Sequence, residues 1–298
     1  MLIHENISLR DKNTYRIGGN AAFYSEPRNE EEILFSLNWA SERDLPVFIL
    51  GKGSNVLISD SGWPGIVINI SESFREIKWN DGLVTAQSGV MLNALVNQSI
   101  EHSFSGMEEL WGIPGTVGGA VVMNAGAFSM CVEDTIEWVR YLDIPENKII
   151  IRKKNEMFFG YRKSYLKDRS SIVLEAAFRF TKNYPLDELI ARRNEIQSKR
   201  KDKQPLEYPN CGSVFKRPLN SYAGTLIEKC ELKGKRVGNV EVSLKHANFI
   251  VNRGNGTAED VRNLIILIQK KVYEYSGILL EPEVVFIGSF TNTLFTAD

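Results

Sequence analysis

Three polar residues stand where the sequence context favours chemistry over simple packing. Arg162 follows Gly160-Tyr161, Ser213 follows Asn210-Cys211-Gly212, and Glu283 lies inside the apolar run 279–288. An arginine gives a permanent planar cation suited to a carboxylate or a phosphate. A serine in a glycine turn presents its hydroxyl to a ligand, and a carboxyl in an apolar strand holds its proton towards neutral pH. Taken singly, each also has a plainer explanation: a surface ion pair for Arg162, a turn or capping hydroxyl for Ser213, and a buried salt bridge for Glu283. No Ser-His-acid set accompanies them and Ser213 lacks the Gly-x-Ser-x-Gly elbow, so nucleophilic acyl chemistry is disfavoured.

Two glycine turns carry a different chemistry. Gly112, Ile113, Pro114, Gly115, Thr116, Gly118 and Gly119, followed by Asn124 and Gly126, place five glycines and a proline among apolar residues. Such a run makes turns, and without Cβ atoms its backbone N–H groups can approach an anion and form a concave binding surface. A phosphate or pyrophosphate is the natural occupant. The shorter turn Gly51-Lys52-Gly53-Ser54-Asn55 stands between two strand-like runs, where Lys52 and Ser54 add a charge and a hydroxyl. A tight connection that binds nothing is the alternative for either turn alone. Neither turn is a Walker or a Rossmann sequence, so nucleoside triphosphate hydrolysis is unsupported.

The chain that must position these groups has 298 residues, enough for two or three domains with a cleft between them. Lys plus Arg number 36 against 37 Asp plus Glu, a formal charge of -1, so no global field recruits nucleic acid or an acidic membrane. Anion binding must be local. Residues 1–30 lack signal-peptide features, and no apolar stretch approaches the roughly 20 residues of a membrane span, which reads as a soluble, cytoplasmic protein. Cys131, Cys211 and Cys230 are odd in number and widely separated, and His4, His102 and His246 do not cluster. Free thiols and no metal are expected.

Residues 21–60 read as a βαβ-like unit, with strands at 22–24 and 46–50, a helix near 31–41, and the 51–55 turn leading into Val56-Leu57-Ile58. Strand-like runs at 66–68, 84–86, 138–142, 149–151 and 172–174, with one helix near 92–102, make a distinct α+β domain around the segment 112–126. A charged helix over 185–203 follows, and its Lys199, Arg200, Lys201 and Lys203 read as a solvated helix end. The third unit holds a helix with a Thr257-x-x-Asp260 capping box, an apolar face of Val261, Leu264, Ile265, Ile268 and Val272, and Gly277 as its C′ glycine. The divisions fall at 1–64, 65–203 and 204–298. Residues 279–288 read as a strand and the last ten as a loose tail.

Taken in order, the motifs Thr14-Tyr15-Arg16-Ile17-Gly18-Gly19, the 51–55 turn, the 112–126 segment, Tyr161-Arg162-x-Ser164, Cys211-Gly212-Ser213-Val214-Phe215-Lys216, Leu232-Lys233-Gly234 and Glu281-Pro282-Glu283-Val284 form a family pattern. It resembles the UDP-N-acetylenolpyruvoylglucosamine reductase family across residues 5–288. The short interval between Arg162 and Ser213 resembles that family's compact class, which lacks an extra substrate-covering tyrosine loop. The resemblance implies an α+β fold: a two-domain FAD-binding unit of the vanillyl-alcohol-oxidase (PCMH) type, followed by a C-terminal α+β domain for substrate.

The same resemblance implies noncovalent FAD with NADPH as reductant, the FAD pyrophosphate being cradled by Gly51 to Asn55 and Gly112 to Gly119, with Asn124 and Gly126. It implies reduction of UDP-N-acetylglucosamine enolpyruvate to UDP-N-acetylmuramate for peptidoglycan. Arg162 and Glu283 would stabilise charge spreading into the substrate carboxylate, Ser213 would protonate C2, and Lys216 would help electrostatically. Tyr161, Lys203, Lys233 and His246 are the implied sugar-nucleotide contacts. The residues Gly238-Asn239-Val240-Glu241, Phe128-Ser129 and Arg217 depart from the family pattern without removing a catalytic residue. The competing readings are an FAD oxidoreductase with another substrate and a noncatalytic flavin- or sugar-nucleotide-binding regulator.

Overall fold

The computed structural model describes residues 2–297. Its first unit runs β1 (His4–Ser8), β2 (Asn20–Ser25), α1 (Glu30–Ser41), β3 (Val47–Leu50), β4 (Val56–Ile58) and β5 (Trp63–Asn69). The sheet order is β1-β2-β5-β3, antiparallel between β1 and β2 and parallel elsewhere. β5 thus lies between the two strands of the expected βαβ unit, and the division at 64/65 cuts it. Pro64-Gly65 looks like a break in sequence, yet Gly65 serves close packing: a Cβ there would run into the Pro46 carbonyl. α1 starts where the Asn29 side chain accepts the Glu32 N–H at 2.9 Å. It buries Ile33, Leu37 and Ala40 against Ile66 and Ile68.

The second unit contains β6 (Ile77–Asn80), β7 (Leu83–Gln87), α2 (Leu92–Glu101), α3 (Val117–Val122), β8 (Gly126–Ala127), β9 (Met130–Cys131), β10 (Ile136–Asp143), β11 (Lys148–Lys153), β12 (Ser171–Arg179) and α4 (Leu186–Lys203). Five strands make the antiparallel sheet β11-β10-β12-β7-β6. Leu92, Leu95 and Val96 of α2 share its core with Val84, Val139, Ala176 and Phe178. The start of α3 is drawn to the end of β7, where the Gly118 N–H donates to the Ser88 carbonyl at 2.9 Å. A Cβ on Gly118 would stand 3.0 Å from that of Ser88, so a side chain there would force the two segments slightly apart. Leu142, Ile172 and Leu174 pack instead with the first unit's core, joining the two.

The third unit contains α5 (Ala223–Lys229), β13 (Arg236–Val237), β14 (Val240–Val242), β15 (Ile250–Asn252), α6 (Ala258–Ser276) and β16 (Val285–Ile287), with β13-β14-β15 as an antiparallel sheet. The apolar face of α6 is buried as its spacing requires. Its capping box forms, with the Asp260 N–H donating to Thr257 at 3.0 Å and the Thr257 N–H to Asp260 at 3.1 Å. Gly277 ends the helix at φ +69°. The remaining donors at the N-terminus, on Ala258 and Glu259, reach the Asp60 carboxylate of the first unit at 2.9 and 3.0 Å.

Two expectations for the C-terminal segment need correction. The strand is confined to β16, which pairs in parallel with β4, so Glu283 precedes the strand by two residues. Residues past 288 are packed, because Phe290 and Leu294 join the third core and the Arg262 side chain donates to the Asn292 carbonyl at 2.9 Å. Among the described residues, no helix is long and apolar enough to cross a membrane.

Asp60→Ala leaves two N–H groups at the start of α6 unpaired and removes a favourable negative charge. Stability should fall by about 1–2 kcal/mol. A lower denaturant midpoint at unchanged m-value checks this, and an unchanged midpoint contradicts the cross-unit cap.

Candidate active site

Arg162, Ser213 and Glu283 line one cavity of about 410 Å³, which Tyr161, Lys233 and His246 also line. Arg162 sits at φ +53° inside a tight turn closed by reciprocal bonds between Gly160 and Lys163, of 3.1 and 3.0 Å. That left-handed conformation is strained for an arginine. It aims Nε at Glu283 Oε1, 2.5 Å away, and Nη2 at the Gly126 carbonyl, 3.1 Å away. The pair is mostly covered, with side-chain exposures of 20% and 11%. Burial lifts the Glu283 carboxyl above its ordinary range, outweighing the downward pull of Arg162, Lys216 and Lys167.

Ser213 follows Gly212, which holds φ +80° and donates its N–H to the Asn210 side chain at 2.9 Å. A Cβ at Gly212 would meet nothing, so backbone conformation alone calls for glycine there. Asn248 fixes the next residues: its carbonyl accepts from Val214 at 2.8 Å, and its side chain exchanges bonds of 3.0 and 2.9 Å with the Phe215 backbone. The Glu283 N–H donates to the Val214 carbonyl at 2.7 Å, which ties the carboxyl's segment to the serine's.

The glycine turns, distant in sequence, face each other. A Cβ on Gly51 would lie 2.8 Å from Thr116 Oγ1, and one on Gly115 would lie 3.4 Å from Ser54 Oγ. Thr116 is buried and caps Gly119 at 3.5 Å. Among the described residues, the N–H groups of Lys52, Gly53 and Ser54 donate to no protein acceptor. Unspent backbone donors, missing Cβ atoms and one exposed lysine fit the pyrophosphate of FAD.

Other expected cofactor contacts are committed elsewhere. Asn124 is buried and donates to Glu133 at 2.7 Å and to the Gly160 carbonyl at 3.0 Å, while its oxygen accepts the Glu133 N–H at 3.1 Å. It holds the arginine turn. Gly126 accepts from Arg162, and the Asn55 amide donates to the Glu283 carbonyl at 3.2 Å. Gly112, at φ +86°, lets the Arg200 stem pass: a Cβ there would stand 2.5 Å from Arg200 Cδ. Arg200 is therefore not part of a solvated helix end; it is buried, and burial pushes its pKa down to about 10.

Among the expected substrate contacts, Lys203 is exposed at the end of α4 and does not line the cavity. Lys233 pairs with Glu228 at 2.6 Å, and burial pushes the His246 imidazole below its ordinary pKa. The Tyr161 hydroxyl accepts the Arg217 N–H at 3.0 Å, linking the second and third units across the cavity. Lys216 is ion-paired with Glu281. The cavity also contains Arg217, Tyr222, Lys245 and Asn248. Of these only Arg217 is marked in the sequence, as a departure from the family pattern. Arg217 stacks over Tyr222 at 4.1 Å, and the Lys245 amine donates to the Lys201 carbonyl at 2.5 Å.

Elsewhere, Cys131, Glu133 and Asp134 lie within 4.8 Å of one another. One oxygen of each carboxylate is hydrogen-bonded, Glu133 Oε2 by Asn124 at 2.7 Å and Asp134 Oδ2 by the Cys131 N–H at 2.7 Å. The thiol is pushed up to about 11, chiefly by burial.

Residues 204–287 match the family model described as UDP-N-acetylenolpyruvoylglucosamine reductase, C-terminal domain, and residues 21–151 match an FAD binding domain. The reductase of Caldicellulosiruptor saccharolyticus is 44% identical over 96% of this chain and 92% of its own. That of Synechocystis is 40% identical over 98% and 92%. The crystal structure of the Thermus caldophilus reductase superposes with a TM-score of 0.82 at 33% identity, covering 96% of this chain and all of that one. With such likeness along nearly the whole length of each partner, the chain belongs to the UDP-N-acetylenolpyruvoylglucosamine reductase family.

Proposed function

We propose that this protein reduces UDP-N-acetylglucosamine enolpyruvate to UDP-N-acetylmuramate, with NADPH as reductant and FAD as cofactor, in the synthesis of peptidoglycan precursor. The observation that carries this reading is the meeting of Arg162, Glu283 and Ser213 in one cavity bordered by cationic side chains. Net charge is nearly balanced, so capture of a dianionic diphosphate falls to local cations, of which Lys233, Arg217 and Lys245 line the cavity.

When bound, FAD supplies hydride to C3 of the enol ether. The chain's own residues handle the charge and the proton that remain. Arg162 and Glu283 are already in contact, so they form a preorganised surface for the substrate carboxylate, and their hydrogen bonds strengthen as negative charge develops there. The raised pKa of Glu283 favours the protonated form that can donate such a bond. Ser213 delivers the proton to C2. A hydroxyl keeps its proton at every working pH, and a carbanion-like carbon is basic enough to take it. Asn248 and Asn210 hold the serine segment, while Asn124 and Gly126 hold the arginine.

Ser213→Ala should lower product formation by roughly 10²- to 10⁴-fold while NADPH still bleaches the flavin. Rapid-mixing absorbance for each half-reaction reads this, and wild-type product formation would remove Ser213 from the proton-donor role.

Glu283 also makes stability depend on pH. Its folded-state pKa is raised, so its favourable contribution is full below the unfolded value, at about pH 4, and is lost as pH rises through the folded value. Glu283→Gln cannot lose a proton there. The melting temperature of the variant minus that of wild type should therefore increase as pH rises from about 4 to 8. A difference that stays constant or moves towards wild type contradicts the raised carboxyl.

A further inference from the structure

We propose that Asn55 is a positioning residue for Glu283, joining the carboxyl that serves the substrate to the turn that serves the flavin. This inference rests on the reductase reading above. Asn55 ends the 51–55 turn immediately before β4. Its Nδ2 donates to the Glu283 carbonyl at 3.2 Å, and its own carbonyl accepts the Val285 N–H at 3.0 Å. One residue thus grips both peptide groups flanking Val284.

The β4–β16 ladder begins with Val56 opposite Val285, so regular pairing stops short of Glu283. The side chain of Asn55 extends the registration upstream to the residue that carries the carboxyl. Three restraints then meet on Glu283: its N–H on Val214, its carbonyl on Asn55, and its carboxyl on Arg162. Each comes from a different part of the site. A lock between strands for stability alone would need only the main-chain bond to Val285, which any residue at position 55 other than a severe backbone misfit retains. The side-chain bond requires an N–H donor of this length. An aspartate would direct a second acceptor at the Glu283 carbonyl, and an alanine would reach nothing.

A displacement of about 1 Å in a preorganised group can cost on the order of 10²-fold in rate, so loss of this restraint is visible in kinetics. Asn55→Asp and Asn55→Ala are compared with wild type in three measurements. These are FAD dissociation from the protein by flavin fluorescence, flavin bleaching by NADPH, and UDP-N-acetylmuramate formation by prereduced holoenzyme over a range of substrate concentrations. The expected result is a loss of roughly 10- to 100-fold in the maximal rate of product formation. The substrate concentration for half-maximal rate and the FAD dissociation constant should each change by less than about threefold.

A wild-type rate of product formation overturns the proposal. So does a loss no greater than the loss of FAD affinity, or failure of both variants to retain flavin, since Asn55 would then act on the cofactor or the fold. If wild-type enzyme itself makes no product from this sugar nucleotide, the reductase reading fails instead.

Discussion

The contact between Arg162 and Glu283 is the constraint around which the site is built. A mostly buried carboxyl and guanidinium, brought together from the second and third units, are costly to desolvate and repay that cost only with good geometry and further hydrogen bonds. The surrounding structure supplies both. Asn124 holds the turn that forces Arg162 into the left-handed region, Gly126 takes a second guanidinium donor, and Val214 and Asn55 hold the backbone of Glu283. Burial nevertheless leaves the carboxyl with a raised pKa, a destabilising feature in a folded protein and a useful one for donating a hydrogen bond to an anion.

Holding residues from three units in register requires joints between the units. The first and third are joined by the parallel β4–β16 pairing, by Asp60 at the start of α6, and by the bond of 3.0 Å from the Asn252 side chain to the Tyr15 carbonyl. The second and third meet across the cavity at Tyr161 and Arg217. The first and second share a core through Leu142, Ile172 and Leu174. The glycine turn 51–55 runs directly into β4, and β4 pairs with the strand just after Glu283, so that turn and the Arg162–Glu283 cavity are joined by one strand pair.

Much of this was legible in the sequence, for identifiable reasons. The helix from Thr257 announces both of its ends through a capping box and a C′ glycine, and its apolar spacing places its buried face. Gly51 and Gly53 stand out because a Cβ at either would come within 3.0 Å of a neighbouring atom, while Gly115 and Gly118 belong to the second glycine-rich segment. Arg162, Ser213 and Glu283, which meet in one cavity, are marked by residue type against context and by the ordered family motifs. Long-range partnership was not legible. Nothing local says that the amide of Asn55 is spent on Glu283 or that of Asn124 on Glu133 and Gly160, because a polar residue in a glycine turn looks the same whether it serves a ligand or another loop. Arg200 was hidden similarly: among lysines at a helix end it reads as solvated, and only the tertiary approach of Gly112 buries it. Tyr222 and Lys245 enter the cavity through the third unit's packing, which leaves no periodic signal.

In the proposed reaction one site accepts reducing equivalents from NADPH and passes them to the enolpyruvyl sugar nucleotide. The most direct measurement follows the visible absorbance of the purified holoprotein under anaerobic conditions, with NADPH added first and UDP-N-acetylglucosamine enolpyruvate second. The flavin band should bleach on the first addition and return on the second, with one UDP-N-acetylmuramate formed per flavin reoxidised. A band that bleaches and then stays bleached in the presence of the sugar nucleotide would contradict that reaction.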